Sequence, residues 1–353
     1  MHRLMTGVTI LEHELSELRL LVERQTGVLL DCPNSVLADH VAAYLEKEEL
    51  DSPAALLARL RASDIDPAVF ALFLDGVLNV NTGFFRHPGA MNALARYVVP
   101  QLYSRKSYDG PCSLRIWSAG CGTGEEPYSI AMALCESFNN GNGNGNGTGN
   151  QNGSKDSKVR NGGIVENSAP ASAPPTRDWA VHIVGSDILP SAIKTAERGL
   201  YPQSALAGLP TASIRGSFSK IGTNGNSNAQ NAQESTNGNG NGNGNGASNG
   251  NNAHLLVKPR LRSLVTFNTM NLTRPVYIGR FDCIFCMDVL PHLSRAQRAA
   301  LIERLHLYLE PGGYLFLSQT EKLCASNLNF RSETYDGYTF HRKPLAASAA
   351  YGR

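Results

Sequence analysis

Along the first hundred residues the apolar positions fall three or four apart. Leu11, Leu15, Leu18 and Val22 form one series, and Val36, Leu37, Val41, Tyr44 and Leu45 a second; Leu56, Leu57 and Leu60 precede Phe70, Phe73, Leu74 and Val77. That spacing puts each series on one face of a helix, so four amphipathic helices are predicted. Their ends are marked as well. Thr9 and Glu12 have the spacing of a capping box, Gly27 stops the first helix, and Ser52-Pro53 and Asp66-Pro67 each set a capping residue before a proline suited to the first helical position. Residues 1–106 are therefore expected to form a small all-helical domain whose apolar stripes are core and not a cofactor box.

Beyond residue 107 the pattern changes. Leu114–Trp117, Val181–Val184, Leu264–Phe267, Phe281–Phe285 and Tyr314–Leu317 are apolar runs of strand length, while helical patterns start at Glu125 and cover Ser191–Glu197 and Arg295–Leu309. Pro311-Gly312-Gly313 reads as a break, and Phe330–Arg342 as a closing hairpin. Strands alternating with helices predict an α/β, Rossmann-like sheet over residues 107–343, with its ligand off the carboxyl ends of the strands and a tail at 344–353. Two stretches, about 139–177 and 219–252, interrupt the alternation and are dominated by Asn, Gly and other polar residues. They carry too little apolar surface to offset the entropy of ordering, and are expected to be disordered insertions dispensable for folding.

Composition narrows the function classes. A net charge of +2 gives no support for a nucleic-acid or anionic-membrane partner. The seven cysteines are odd in number and show no disulfide framework; Cys283 and Cys286 form a C-x-x-C, but within an apolar strand they face opposite sides and cannot share a metal. No signal-peptide pattern and no membrane-length apolar run is visible, so a cytoplasmic protein without membrane insertion is expected.

The candidate chemistry begins where the strand Leu114–Trp117 meets the helix starting at Glu125. Gly120, Gly122 and Gly124 fill that turn, letting the backbone bend sharply and a ligand approach it closely. The spacing G-x-G-x-G differs from the dinucleotide fingerprint G-x-G-x-x-G, which argues against a nicotinamide cofactor and for S-adenosylmethionine (SAM). Asp187, after the second strand, is placed to accept hydrogen bonds from ribose hydroxyls; its alternative reading is a cap for the helix near Ser191.

The segment IWSAGCGTGEEPYSIAMAL closely resembles the glycine motif of the CheR family of SAM-dependent chemotaxis receptor methyltransferases. So do NTGFFRHPGAMNAL from Asn81, GSDILPSAIKTAERGLY from Gly185, the pair Asn271-Leu272, FDCIFCMDVL from Phe281 and LEPGGYLFLSQTEKL from Leu309. The resemblance implies a class I SAM-dependent methyltransferase domain with a small β subdomain. It also implies a reaction forming glutamate methyl esters on the cytoplasmic helical bundle of a chemoreceptor, leaving S-adenosyl-L-homocysteine (SAH), and a monomer is expected. By its motifs, Thr82 and Arg86 reach the cofactor, Arg86 lies near the transfer centre, Glu126 contacts the cofactor, Asp187 is the ribose acid, and Asn271 and Leu272 stand beside the adenine. Phe84 and Phe85 are read as interface core, and Glu125 as a first-turn acid favoured by the helix dipole.

Some positions depart from the family pattern. Where many members read C-R-N-V and then Tyr-Phe, this chain has Cys286-Met287-Asp288-Val289 and His292-Leu293; Val80 stands where an Asn is frequent, and the basic residues usual after the first turn are absent from DCPNSVLADHV. Met287 and Asp288 are thus expected at the cofactor and His292 at the transfer site. A histidine can change charge in the working pH range, and Asp288 is expected to favour its cation. The rival to an enzyme is a SAM-binding scaffold with little turnover.

Overall fold

The computed structural model describes residues 10–62, 67–78, 82–106, 112–141, 179–221, 254–274, 279–323 and 328–345. Thr9, Asp66, Val80 and almost all of both Asn/Gly tracts lie outside the described residues.

Four helices come first: α1 (Glu12–Thr26), α2 (Asn34–Lys47), α3 (Pro53–Ala62) and α4 (Pro67–Val77). The predicted stripes make their shared core, with Leu18, Val22, Leu37, Leu60, Phe73 and Leu74 almost fully buried. Two details differ from expectation. The first helix is capped further along than the Thr9–Glu12 spacing suggests: Leu11 is its N-cap, and the Leu11 N–H donates to Glu14 Oε2 at 2.8 Å. Val36, counted with the second stripe, is 41 % exposed, because the stripe already fills its face with Leu37, Val41, Tyr44 and Leu45. Ser52 behaves as read, its Oγ accepting from the Ala55 N–H at 3.2 Å.

A run of α5 (Pro88–Ala93), one π-helical stretch (Leu94–Val98) and α6 (Val99–Lys106) leads to β1 (Cys112–Ala119) and α7 (Glu125–Gly141). Then follow β2 (Trp179–Asp187), α8 (Pro190–Arg198), β3 (Leu200–Pro202), α9 (Thr211–Ser217), β4 (Phe218–Lys220), β5 (His254–Val257), α10 (Pro259–Arg262), β6 (Val265–Thr269), β7 (Phe281–Phe285), α11 (Arg295–Tyr308), β8 (Leu309–Phe316), β9 (Arg331–Tyr335) and β10 (Tyr338–Arg342). The helix α7 continues through residue 141 and β4 includes 219–220, so both insertions begin slightly later than their composition suggests. The main sheet has the order β6-β2-β1-β7-β8-β10-β9, parallel except for β10, which pairs antiparallel with both β8 and β9; β3-β5-β4 form a separate antiparallel sheet. This is an α/β Rossmann-like fold with an N-terminal helical region and a small second sheet.

Strand β7 is buried at all five positions, as a central parallel strand covered on both faces must be. Cys283 belongs to the core on one face of the sheet and Cys286 to the core on the other. The break read at Pro311–Gly313 is instead an irregularity within β8: Phe281 pairs with Leu309, yet Cys283 pairs with Tyr314, and the surplus residues of β8 bulge.

Chain order explains where the site lies. From β1 the chain moves outward through β2 to β6, then returns to the other side of β1 with β7, so the direction reverses between β1 and β7. Helices turn away on opposite faces at such a point and leave a crevice at the strand ends. The helical region closes that crevice. Gly27 ends α1 in the left-handed conformation, at φ 75°, where a Cβ would also meet Thr273 Cγ2 at 2.5 Å. The Thr26 carbonyl, orphaned by the end of its helix, accepts from Asn271 Nδ2 at 3.1 Å and Thr273 Oγ1 at 2.8 Å. Leu29 N–H donates to the His292 carbonyl at 2.8 Å. Among the described residues no helix is long and apolar enough to cross a membrane.

Candidate active site

A cavity of about 690 Å³ opens at the crevice, within the usual range for small-molecule sites. All the residues singled out from the sequence line it except Gly124, which stands just behind: Thr82, Arg86, Gly120, Gly122, Glu126, Asp187, Asn271, Leu272, Met287, Asp288 and His292.

The floor is the glycine turn. Gly120, Gly122 and Gly124 have φ of 85°, 54° and 95°. At Gly120 a Cβ would also overlap Val289 Cγ2, so the turn needs glycine for its backbone and for its neighbour. Gly120 and Cys121 N–H both donate to the Ser186 carbonyl, at 2.8 and 2.9 Å, tying the turn to the end of β2. Asp187 completes the brace: its Oδ2 accepts from Gly122 N–H at 2.9 Å and its Oδ1 from Leu189 N–H at 3.0 Å, at the N-cap of α8. Asp187 thus braces the turn and the entry to α8, its bond reaching the N-cap residue itself and not the helix's first free N–H groups, and a carboxylate holding two backbone donors retains acceptor capacity toward the cavity. Burial pushes the Asp187 carboxyl up, and these backbone N–H groups oppose the shift.

Glu125 and Glu126 begin α7 and differ in role. Glu125 is more than a first-turn acid: it is buried and accepts from Thr123 Oγ1, and a hydrogen bond to Thr82 also favours its ionised form while burial raises its pKa. Thr82 thus braces the helix start as well as lining the cavity. Glu126 accepts from Ser118 Oγ at 2.6 Å. Burial above all raises its pKa to about 7; the Ser118 hydrogen bond and Arg86 lower it, and Asp288 and Glu321 raise it further.

The mouth brings together distant segments. The turn before α5 is fixed by Phe85 N–H donating to Ser129 Oγ at 2.9 Å, with Phe85 itself at φ 50°. Phe84 packs edge-on against Tyr201 and Phe218, as an interface residue should, with ring centroids 4.9 and 5.4 Å apart. Arg86 Nη2 lies 3.2 Å from Asp288 Oδ2, and His87 Nε2 lies 3.0 Å from the same oxygen. Asp288 adopts φ 56°, a left-handed position that Asp and Asn tolerate better than most residues. Glu321 holds the loop, accepting from the N–H groups of Asp288 at 3.2 Å, Leu290 at 2.9 Å and Ser318 at 2.9 Å. His292 lines the cavity with an exposed side chain. The expected pairing of Asp288 with His292 is replaced by its pairing with Arg86 and His87. Asn271 spends its amide on Thr26 and Thr273 and presents the rest of its side chain to the cavity beside Leu272 and Met270.

Sequence reasoning missed His87, although it directly follows Arg86 in the motif quoted above, and Glu321, for which no spacing rule pointed to the loop after β7. It also treated the helical region only as core. Val28, Leu30, Asp31, Cys32, Val36, His40 and Val77 form one cavity wall.

The residues fit SAM on structural grounds. Gly120 and Gly122 present bare backbone to the cavity, Asp187 offers acceptor sites for ribose hydroxyls, and the half-buried Glu126 is a carboxylate matched to an ammonium group. Ile188, Leu189, Met270, Leu272 and Met287 give an apolar wall for a base. SAM supplies a methyl group on a sulfonium, an activated leaving group.

Comparison with known proteins agrees with the geometry. The family described as CheR methyltransferase, SAM binding domain, matches residues 80–146 and 246–338. The chain is 26 % identical over 308 residues to "Chemotaxis protein methyltransferase 1" of Pseudomonas aeruginosa, covering 86 % of this chain and 88 % of that one. It is 25 % identical over 325 residues to "Chemotaxis protein methyltransferase 1" of Vibrio cholerae, covering 90 % and 92 %. The interruption of the family match falls on the Asn/Gly tracts and the segment between them, while the glycine turn, Arg86 and the loop after β7 lie inside it. The family match and these relatives support the CheR family of methyltransferases for this chain, with SAM as its cofactor.

Proposed function

We propose that the chain transfers the methyl group of SAM to glutamate side chains on the cytoplasmic helical bundle of a chemoreceptor, forming methyl esters in sensory adaptation. One observation carries this reading. Arg86 stands at the mouth of the SAM cavity and already binds a carboxylate there, that of Asp288. An ionised acceptor carboxylate needs no general base, so positioning is the main requirement, and positioning is worth about 7 to 11 kcal/mol. In this reading Gly120, Gly122, Gly124, Glu126 and Asp187 hold the cofactor from below. Thr82, Asn271, Leu272 and Met287 flank it, Asp288 contacts it near the mouth, and Arg86 and His292 face the acceptor. The helical region, residues 1–106, is a domain that supplies one wall and meets the receptor, and the β3-β5-β4 sheet offers a second docking surface. The protein works as a cytoplasmic monomer.

Incubating the purified protein with labelled SAM and membranes of its own cell tests the reading: base-labile label on a receptor band is expected, and its absence with SAM binding intact rejects it. The Asp288–Arg86 pair gives the rival, a SAM-binding scaffold with weak turnover, its one specific support, because it occupies the group that would hold the acceptor.

A further inference from the structure

Asp288 places a third carboxylate at the mouth, near Glu126 and Glu321, whose charges already act on one another there. A fourth carboxylate, from an acceptor, has to find cationic partners in that neighbourhood. Two side chains shown there, the guanidinium of Arg86 and the imidazole of His87, converge on a single oxygen of Asp288, at 3.2 and 3.0 Å. Sharing one oxygen matters, because Asp288 can let go of Arg86 and keep His87. Its backbone is held independently by Glu321, so its side chain can rotate without moving the loop. The side chains of Arg86 and Asp288 are 41 % and 32 % exposed, which keeps the pair weak and exchangeable.

We infer that Asp288 is an internal occupant of the carboxylate place on Arg86, that an acceptor carboxylate binds by displacing it, and that His87 retains Asp288 once displaced. This rests on the proposed glutamate acceptor, and it makes Asp288 and His87 positioning residues that set acceptor affinity. An exposed ion pair worth up to about 1 kcal/mol corresponds to a factor of about five in affinity.

The test uses the full chain loaded with SAH and titrated with N-acetylglutamate α-amide, a probe with one side-chain carboxylate, followed by NMR. Asp288→Asn keeps the shape and tolerates the left-handed backbone; it is expected to tighten probe binding about fivefold. His87→Ala should weaken it about threefold, and should have no effect in the Asp288→Asn background, a coupling that two independent structural lesions would not show. In methyl transfer, Asp288→Asn should lower KM for the acceptor protein more than it changes kcat. Unchanged or weaker probe binding in Asp288→Asn, with its melting temperature retained, overturns the inference, as do additive effects of the two substitutions. If Asp288→Asn does not fold, the His87→Ala titration decides alone: unchanged or tighter binding overturns the proposal. Absence of base-labile label with the wild type rejects the glutamate reading whatever the probe does, so the two failures remain distinct.

Discussion

The floor and the mouth of one cavity are built by different means. At the floor, Asp187 is satisfied by backbone N–H groups of Gly122 and Leu189, both close to the strand ends that position it. At the mouth, Asp288 is satisfied by the side chains of Arg86 and His87, about two hundred residues away in the chain. Backbone donors in a braced turn cannot leave, whereas long side chains at a half-exposed rim can exchange partners. The floor is therefore preorganised and the rim exchangeable; in the function proposed above, the first holds the cofactor and the second lets charged groups trade places as an acceptor enters.

The largest way to break this contrast is Asp187→Ala. It strands two backbone donors and removes a charge-assisted acceptor, each such bond being worth about 1.5 to 3 kcal/mol. SAH affinity is expected to fall by about 3 kcal/mol in calorimetry, with a lowered melting temperature; loss of affinity alone would mean that Asp187 serves only the ligand. Gly120→Ala should follow at about 2 to 3 kcal/mol, from left-handed strain and the overlap with Val289. Survival of tight SAH binding in this variant would show the floor to be more yielding than described.

Glu126 sharpens the comparison through pH. Its folded-state pKa of about 7 lies above the ordinary value of 4.5. The protonated form is thus favoured by folding, and that contribution is fully present below pH 4.5 and is lost as pH rises through about 7. Ligand-free protein should lose up to about 3 kcal/mol of stability over that window. Thermal melts of Glu126→Gln should be flatter across it, and an equal slope in both proteins would remove Glu126 as the cause. The smallest effect is expected for His292→Tyr. Its exposed ring should leave SAH affinity within about twofold, while a changed rate of methyl transfer would assign it to the acceptor side; a large loss of SAH affinity would move it to the cofactor.

How much of this was legible follows the same division. The helices of the first hundred residues were visible because each buries one stripe against the others. The turn from Gly120 to Gly124 was visible because its chemistry is local: a strand end, a backbone that must bend, and a helix start within a dozen residues. Asp187 was readable as a strand-end acid. Departures came where neighbours from elsewhere decided. Val36 shares the period of a buried stripe yet faces the cavity, and Pro311–Gly313 bulges within a strand because β7 continues alongside it.

The sequence by itself determined the first four helices, the central strands with the helices between them, and the glycine corner with the acid at its floor, since period and local turn chemistry are properties of contiguous chain. Only the tertiary structure decided what Arg86, His87, Asp288 and Glu321 do. These four come from three segments that meet only after the sheet has assembled, and a charge's partner depends on which other charge lies within a few ångströms, which no linear spacing encodes. The same holds for the cavity wall from Val28 to Val36, which exists because the end of α1 is tied to Asn271 and Thr273 across the fold.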